Sequence, residues 1–393
     1  MRNFKFNSLS AIIRSKKARR GMTIVICVFA SLVLLITTAG AAGTAAKAVN
    51  VIMDGIKYPL TKGHPYSENG TTMIPFRMIS GKLGTQANWN AANKTLTLQQ
   101  KENKIVLTVG SSFAKVNGQP VALGAMVVQK DGMTMIPLTV VSDLLSAEVE
   151  VEVDEFSQSV HIHTPGKDLG ELDYFGRKIR TTNLPKNYKD YPYILEDIPN
   201  EMYEMRHTIN YSAGNAETGA QVFSKKELTS EDMAKIIKRM KIGFDLRLNV
   251  DYKTINPASY AKESFKYENQ SSSIREKEIE EYAEWVKKNK IQIEGAIDPE
   301  SSVLYYPGTG DYRVRSMFRF RINSFTEYKD LFNDVYFKLA EFRLHEKLKK
   351  GVWYEGYADL SISTNYYNPI VGEHFNIDAL SSLFENTTLH EVK

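Results

Sequence analysis

Asn69-Gly70-Thr71-Thr72-Met73-Ile74-Pro75-Phe76 returns 62 residues later as Asp131-Gly132-Met133-Thr134-Met135-Ile136-Pro137-Leu138. In both copies an Asx-Gly turn precedes a short apolar strand. A proline then stands where a helix can begin, because its missing N–H costs nothing at the first helical position. The following residues repeat too: Phe76, Ile79 and Leu83 become Leu138, Val141 and Leu145, an i, i+3, i+7 stripe that one short helix would bury. The minimal unit is therefore a duplicated ββα element.

The segment ahead of the repeat has the layout of an export signal. Met1 to Asn50 carries Arg2, Lys5, Arg14, Lys16, Lys17, Arg19 and Arg20 and no acidic residue. An apolar run of roughly 18 residues, Met22 to Ala39, follows the basic cluster. Ala46-Lys47-Ala48 supplies an A-x-A cleavage site, with Ala39-Gly40-Ala41 as a competitor. The run is also just long enough to span a bilayer, so retention as an N-terminal anchor is the alternative. Either way, residues from 49 onward are expected outside the cell, and membrane contact is expected only through the leader.

Cys27, the single cysteine, lies inside this run behind Ile26, which does not suit a lipoprotein signal. A chain cut after Ala48 has no cysteine, so packed cores must hold it together without disulfides. About 345 residues allow two such cores. Removing residues 1–48 takes away eight of the 50 Lys and Arg and none of the 46 Asp and Glu, moving the formal charge from +4 to −4. A mildly acidic protein without a basic tract gives no electrostatic reason to expect nucleic-acid binding.

From 49 to 164 short runs alternate apolar and polar residues, among them Thr95 to Leu98, Lys104 to Val109 and Glu148 to Val153. Asp54-Gly55, Asn69-Gly70, Asn117-Gly118 and Asp131-Gly132 punctuate them. Such pairs accept the positive φ of tight hairpins, which predicts an antiparallel sheet with two short helices packed on it. The run Asn69 to Leu83, with Gly84, Trp89-Asn90 and Lys94 to Leu98, resembles the copper amine oxidase N-terminal-like domain. This is the stalk module found on many exported proteins of Gram-positive bacteria. The second copy departs from the pattern, with Thr139 in place of Arg77, Ser146 in place of Gly84 and Val151 near the place of Trp89. The resemblance implies an accessory module that lacks the oxidase's copper and quinone.

The residues themselves also argue against amine oxidation. The chemistry needs a tyrosine in an Asn-Tyr-Asp/Glu context, an H-x-H pair downstream of it and a third histidine. Asn365-Tyr366-Tyr367 and Asn210-Tyr211-Ser212 lack the acidic neighbour, and His161-Ile162-His163 lies upstream of both. Period-2 geometry puts His161 and His163 on one strand face, where a metal is conceivable. With no third ligand nearby in sequence, the polar face of a terminal strand is the better account.

Texture changes after Pro165-Gly166, which marks the expected boundary of a second domain, 165–393. Nineteen of the 21 tyrosines lie beyond it. Asp173 to Asn200 reads as an irregular arm, with Tyr188, Tyr191 and Tyr193 available to pack across a neighbouring surface. Thr229-Ser230-Glu231-Asp232 predicts a capped helix that buries Met233, Ile236, Ile237 and Met240. Ile242 to Val250 alternates and predicts a strand. Ile279, Tyr282, Ala283 and Val286 predict one helix face, with Lys287, Lys288 and Lys290 at its C-terminal end. Tyr312 to Ile322 predicts a strand with its arginines on the outer face, and Val352 to Ile362 a further strand. Residues 335–350 fit a helix or a strand, and a hairpin onto 352–362 is preferred. The fold class expected is α+β, a duplicated hairpin module followed by a larger domain with an antiparallel sheet and several helices.

This domain resembles no characterised family and shows no catalytic motif. Gly308-Thr309-Gly310 lacks the third glycine of a dinucleotide fingerprint. Ser112 to Lys115 and Ser259 to Lys262 match S-x-x-K without S-D-N or K-T-G. Glu278, Glu280 and Glu281 read as a solvated helix face, and His207, His345 and His374 lack zinc-ligand spacing. No catalytic, cofactor-binding or metal-ligating residue is assigned, and no cofactor is expected. The tyrosine excess suits a recognition surface or a polar-rimmed core. The expectation is an exported, non-catalytic envelope protein whose stalk module spaces or docks a recognition or structural domain, its partner a wall or surface polymer or an envelope protein. The alternative is an exported hydrolase acting on an envelope polymer, with its site in the second domain.

Overall fold

The fold is that of a computed structural model, which describes residues 48–392 except 61–63, 69, 131, 154–156, 208–213, 226–227, 269–272, 309–310, 335–336, 339–346, 364–375 and 378–380. The leader, both Asn-Tyr pairs, His345, His374 and most of 335–350 lie outside these residues. Among the described residues no helix is long and apolar enough to cross a membrane.

The first module runs through β1 (Ala48–Met53), β2 (Ile56–Lys57), β3 (Tyr66–Glu68), β4 (Thr71–Pro75), β5 (Thr85–Asn90), β6 (Thr95–Gln100), β7 (Asn103–Thr108), β8 (Phe113–Val116), β9 (Gln119–Ala122), β10 (Val128–Lys130), β11 (Met133–Pro137), β12 (Glu148–Val153) and β13 (Ser157–His163). They form three sheets, ordered β12-β13-β1-β2, β10-β11-β4-β3 and β5-β6-β7-β8-β9. The two copies of the repeated strand pair antiparallel, Ile136 opposite Ile74. Asp54-Gly55 and Asn117-Gly118 make hairpin turns with positive φ at both residues, as the Asx-Gly reading requires.

The expected short helices are single turns, a 3-10 turn at Phe76–Met78 and a wider π-type turn at Val140–Leu144. Their stripes are nonetheless buried at Ile79, Leu83, Val141 and Leu145. Leu83 and Gly84 both take positive φ, as does Ser146, so neither turn can propagate. One pairing departs from the antiparallel expectation: β1 runs parallel to β13, Val51 opposite Val160. Parallel pairing needs a long crossover, and here the crossover is the rest of the module. The module's apolar core, from Val51 to Ile162, closes within itself.

Beyond it come α1 (Asn200–Glu204), α2 (Gly219–Ser224), α3 (Ser230–Leu248), β14 (Val250–Asp251), α4 (Pro257–Phe265), α5 (Ser273–Lys288), β15 (Gln292–Tyr305), β16 (Tyr312–Ser324), β17 (Trp353–Ser363), β18 (Asn376–Ile377) and β19 (Thr387–Glu391). The sheet order is β14-β15-β16-β17-β18, antiparallel, with β19 also on β17. The fold is α+β as expected. At Gly356 a Cβ would come 1.7 Å from the Thr388 carbonyl oxygen, so only glycine lets β19 approach there.

The strand predicted at Ile242 to Val250 is instead the end of α3. Thr229 and Asp232 form the capping box that starts this helix. Met233, Ile236, Met240, Phe244 and Leu248 then recur every three or four residues and are all buried. Ile242 and Leu246, the other half of the apparent alternation, are only half-buried. Strand geometry is confined to Val250–Asp251. The buried side of α3 shares one core with Ile293, Ile297, Phe318, Phe320 and Ile322 of the sheet. α5 buries Ile279, Tyr282, Ala283 and Val286 as its periodicity predicts.

Candidate functional site

Alternation along β16 sends Val314, Phe318, Phe320 and Ile322 toward the helices, which leaves Arg313, Arg315, Arg319 and Arg321 on the opposite face. The sequence reading places these arginines toward solvent. The structure corrects it, because Arg315 is fully buried and Arg319 only 5% exposed. The cover over Arg315 includes the segment that leads into and out of α1, whose carbonyls of Met202 and Met205 accept from Arg315 Nη1 at 2.8 Å.

Arg315 also grips Asp359 on β17, with Nε 2.6 Å from Oδ1 and Nη2 2.8 Å from Oδ2. Tyr305 Oη (2.9 Å) and Asn386 Nδ2 (2.6 Å) donate to the same carboxylate. His207 stacks on Tyr305 at 4.1 Å between centroids. Burial drives its pKa down to about 4, with Arg315 adding to the fall and Asp359 opposing it, so this imidazole is neutral at pH 7. Of the arm tyrosines, Tyr191 is buried and Tyr188 exposed, and Tyr191 Oη lies 3.2 Å from His207 Nε2.

A second cluster forms where the arm meets β15. Arg177 donates to both Glu300 oxygens at 2.8 Å and to Asp197 at 2.6 and 3.1 Å. Asp173 Oδ1 accepts from the backbone N–H of Phe175 (2.9 Å) and Arg177 (2.8 Å), while Oδ2 is buried without a partner. Burial raises the Asp173 pKa to about 6; Arg177 opposes the rise and Glu300 reinforces it. Three carboxylates thus face one guanidinium, and the third keeps its proton into the mildly acidic range.

The module reaches this cluster through β2. The Lys57 backbone N–H donates to Asp197 at 2.7 Å, its ammonium pairs with Asp298 on β15, and Lys178 N–H donates to Gly55 O at 2.8 Å. Asp54 accepts from Thr164 and Lys167, which hold its pKa below the ordinary value although burial works against them. On the far side of the sheet, Glu268 is held by Arg247 (2.8 Å) and Arg275 (2.5 Å), beside a small cavity lined by Phe244, Phe332 and Phe384. Of the three clustered glutamates, Glu280 is exposed, Glu278 reaches Arg275 at 3.2 Å and Glu281 pairs with Lys338.

Copper does not fit the histidines in place. His161 and His163 stand side by side on β13 with ring centroids 6.3 Å apart. His161 packs against Gly176, where even a Cβ would lie 3.0 Å from its Cε1. His64 sits among the cations Lys241, Arg319 and Lys57, a setting hostile to a metal ion. Among the described residues no three His, Cys, Asp or Glu side chains are grouped to share an ion.

Residues 52–162 match the family described as the copper amine oxidase N-terminal domain, so the first part of the chain is a stalk module of that type. No curated protein and no solved structure gives a significant match to the chain. The sequence analysis missed the ion-pair junction altogether. Its signals were present as Arg177 and Asp197 in the arm and Arg315 and Asp359 on separate strands, but nothing in the spacing pairs them.

Proposed function

We propose that this is an exported envelope protein, non-catalytic, in which the stalk module positions a recognition or structural domain at the cell surface. The observation that carries this reading is the junction at β2. Lys57 is bound to both Asp197 and Asp298, and Arg177 ties the arm to Glu300 of the central sheet. A module built to carry a second domain in fixed orientation needs such bracing, because ordinary interdomain linkers leave relative motion as the default. The three least exposed carboxylates, Glu268, Glu300 and Asp359, are each held by an arginine, as is the side chain of Asp197, an arrangement that suits scaffolding better than proton transfer. The acid-free basic leader supports export.

One observation favours the hydrolase reading: the pKa of Asp173, raised to about 6 by burial, lies in the range that general acids use. Its roof of arm residues, which leaves it 8% exposed, weighs against contact with a polymer. Export is tested by cell fractionation with N-terminal sequencing. The expected result is a chain beginning near Val49 outside the cytoplasm, or an uncleaved membrane-bound form. Full-length soluble protein accumulating in the cytosol contradicts the proposal.

A further inference from the structure

Arg319 faces Glu355 across the β16–β17 ladder, on the side of the sheet that carries Arg315 and Arg321. The cations around it are paired. Arg315 has Asp359, Arg321 has Glu294, Lys57 has Asp298, and Lys241 has Asp245 at 3.2 Å and the Ile297 carbonyl at 2.8 Å. Arg319 differs. Its Nε is buried without a partner, and no acceptor among the described residues bonds its guanidinium. Glu355 acts on Arg319 through its charge but makes no hydrogen bond to it, its Oε1 lying 3.3 Å from His390 Nε2.

What Arg319 does have is Trp353, whose ring centroid lies 4.5 Å from the guanidinium carbon, with Arg321 at 4.9 Å from the same ring. An aromatic face attracts a cation but gives its in-plane N–H donors no lone pair to bond. Arg319 keeps only Nε fully buried, so its unbonded Nη groups still reach solvent and remain open to an anion. Its planar fork of donors matches a carboxylate or a phosphate. The position is covered but shallow, because Met317, Arg321, Trp353 and Tyr357 beside it are half-exposed.

We propose that Arg319, backed by Trp353, binds the carboxylate or phosphate group of an anionic ligand. The proposal deepens the recognition reading, on which it rests, by naming the chemistry recognised.

The test uses the whole exported chain. Thermal unfolding is followed with inorganic phosphate, glycerol phosphate or glucuronate, against glycerol, glucose and sodium chloride at matched ionic strength. At least one oxyanion is expected to raise Tm saturably, as a ligand of the native state must, and the phosphate and glucuronate arms tell phosphate from carboxylate. Arg319→Gln is expected to weaken that binding by about tenfold or more and, without anion, to melt no lower than the parent. Arg319→Lys should retain part of the response, and Glu355→Gln should strengthen it by removing a nearby negative charge. Three results overturn the proposal: no oxyanion raises Tm, the rise survives in Arg319→Gln, or Arg319→Gln and Glu355→Gln are equally destabilised without anion, which would make Glu355 the internal partner. Retention on whole envelope is measured separately and does not depend on these outcomes.

Discussion

Arg315 and Asp173 show two ways in which a buried charge is managed at the scale of single residues. Arg315 is fully buried, and its one carboxylate partner is Asp359, supported by Tyr305 and Asn386. Asp359→Asn leaves the guanidinium buried and uncompensated, a change expected to cost about 3–5 kcal/mol. Urea unfolding should show this as a lower midpoint with an unchanged slope; a midpoint within experimental error of the parent would contradict the account. Asp173 behaves oppositely. The unfolded chain releases its proton near 3.8 and the folded chain near 6, so its contribution is fully present below about 4 and lost as pH rises through 6. Asp173→Asn is therefore expected to stabilise the protein at pH 7.5, on the order of 1–3 kcal/mol, and to flatten the pH dependence of Tm between pH 4 and 6. A destabilised variant at pH 7.5 would show instead that Arg177 needs the third carboxylate. Neither behaviour was legible beforehand, because the sequence holds no sign that a strand arginine is roofed by α1 and the residue after it, more than 100 residues earlier.

Local pattern read the elements well where period and boundary chemistry agreed. The Asx-Gly turns and the Thr229 capping box join a turn or cap residue to a run of one period, and the face of α5 joins one period to a single buried side. Ile242 to Val250 misled because five apolar residues at spacing two also contain Phe244 and Leu248 at the helical spacing of four, continuing from Met240. Helical continuation from an established cap outweighs a short alternation. β15 was missed for another reason. Pro299 breaks the strand signal, and the ladder accommodates it with a register shift between Pro299 and Leu304. α4 was also missed, although Asn256 caps it and Pro257 occupies its first turn. The parallel β1–β13 pair joins strands more than 100 residues apart, which no local pattern encodes. Because the module's core closes within residues 51–162, a fragment of residues 49–164 is expected to melt cooperatively by itself. Its deficit relative to the full chain should be small, since the described contacts it loses are few, chiefly those of Asp54 with Lys167, Gly55 with Lys178, Lys57 with Asp197 and Asp298, and His161 with Gly176. Near-UV circular dichroism and amide exchange characteristic of an unfolded chain would place the folding boundary elsewhere.

At the scale of the whole molecule, a stalk module and a second core are locked through β2 and the arm into one compact unit. The resemblance that identifies the module was legible in its repeated motif and is borne out over residues 52–162. The chemistry of the second domain was not legible, because the groups that converge there come from the arm, β15, β16 and β17, far apart in sequence. The central claim, that this unit presents a binding face to the envelope and does not cut it, is tested most directly by sedimentation. The purified chain is incubated with insoluble envelope from the producing cell, and both the pelleted protein and the soluble carbohydrate and peptide released are measured over time. The account predicts saturable retention in the pellet, with release no greater than in a protein-free control. Release that grows with time and protein concentration, and is abolished by Asp173→Asn, would contradict it and make the second domain a hydrolase.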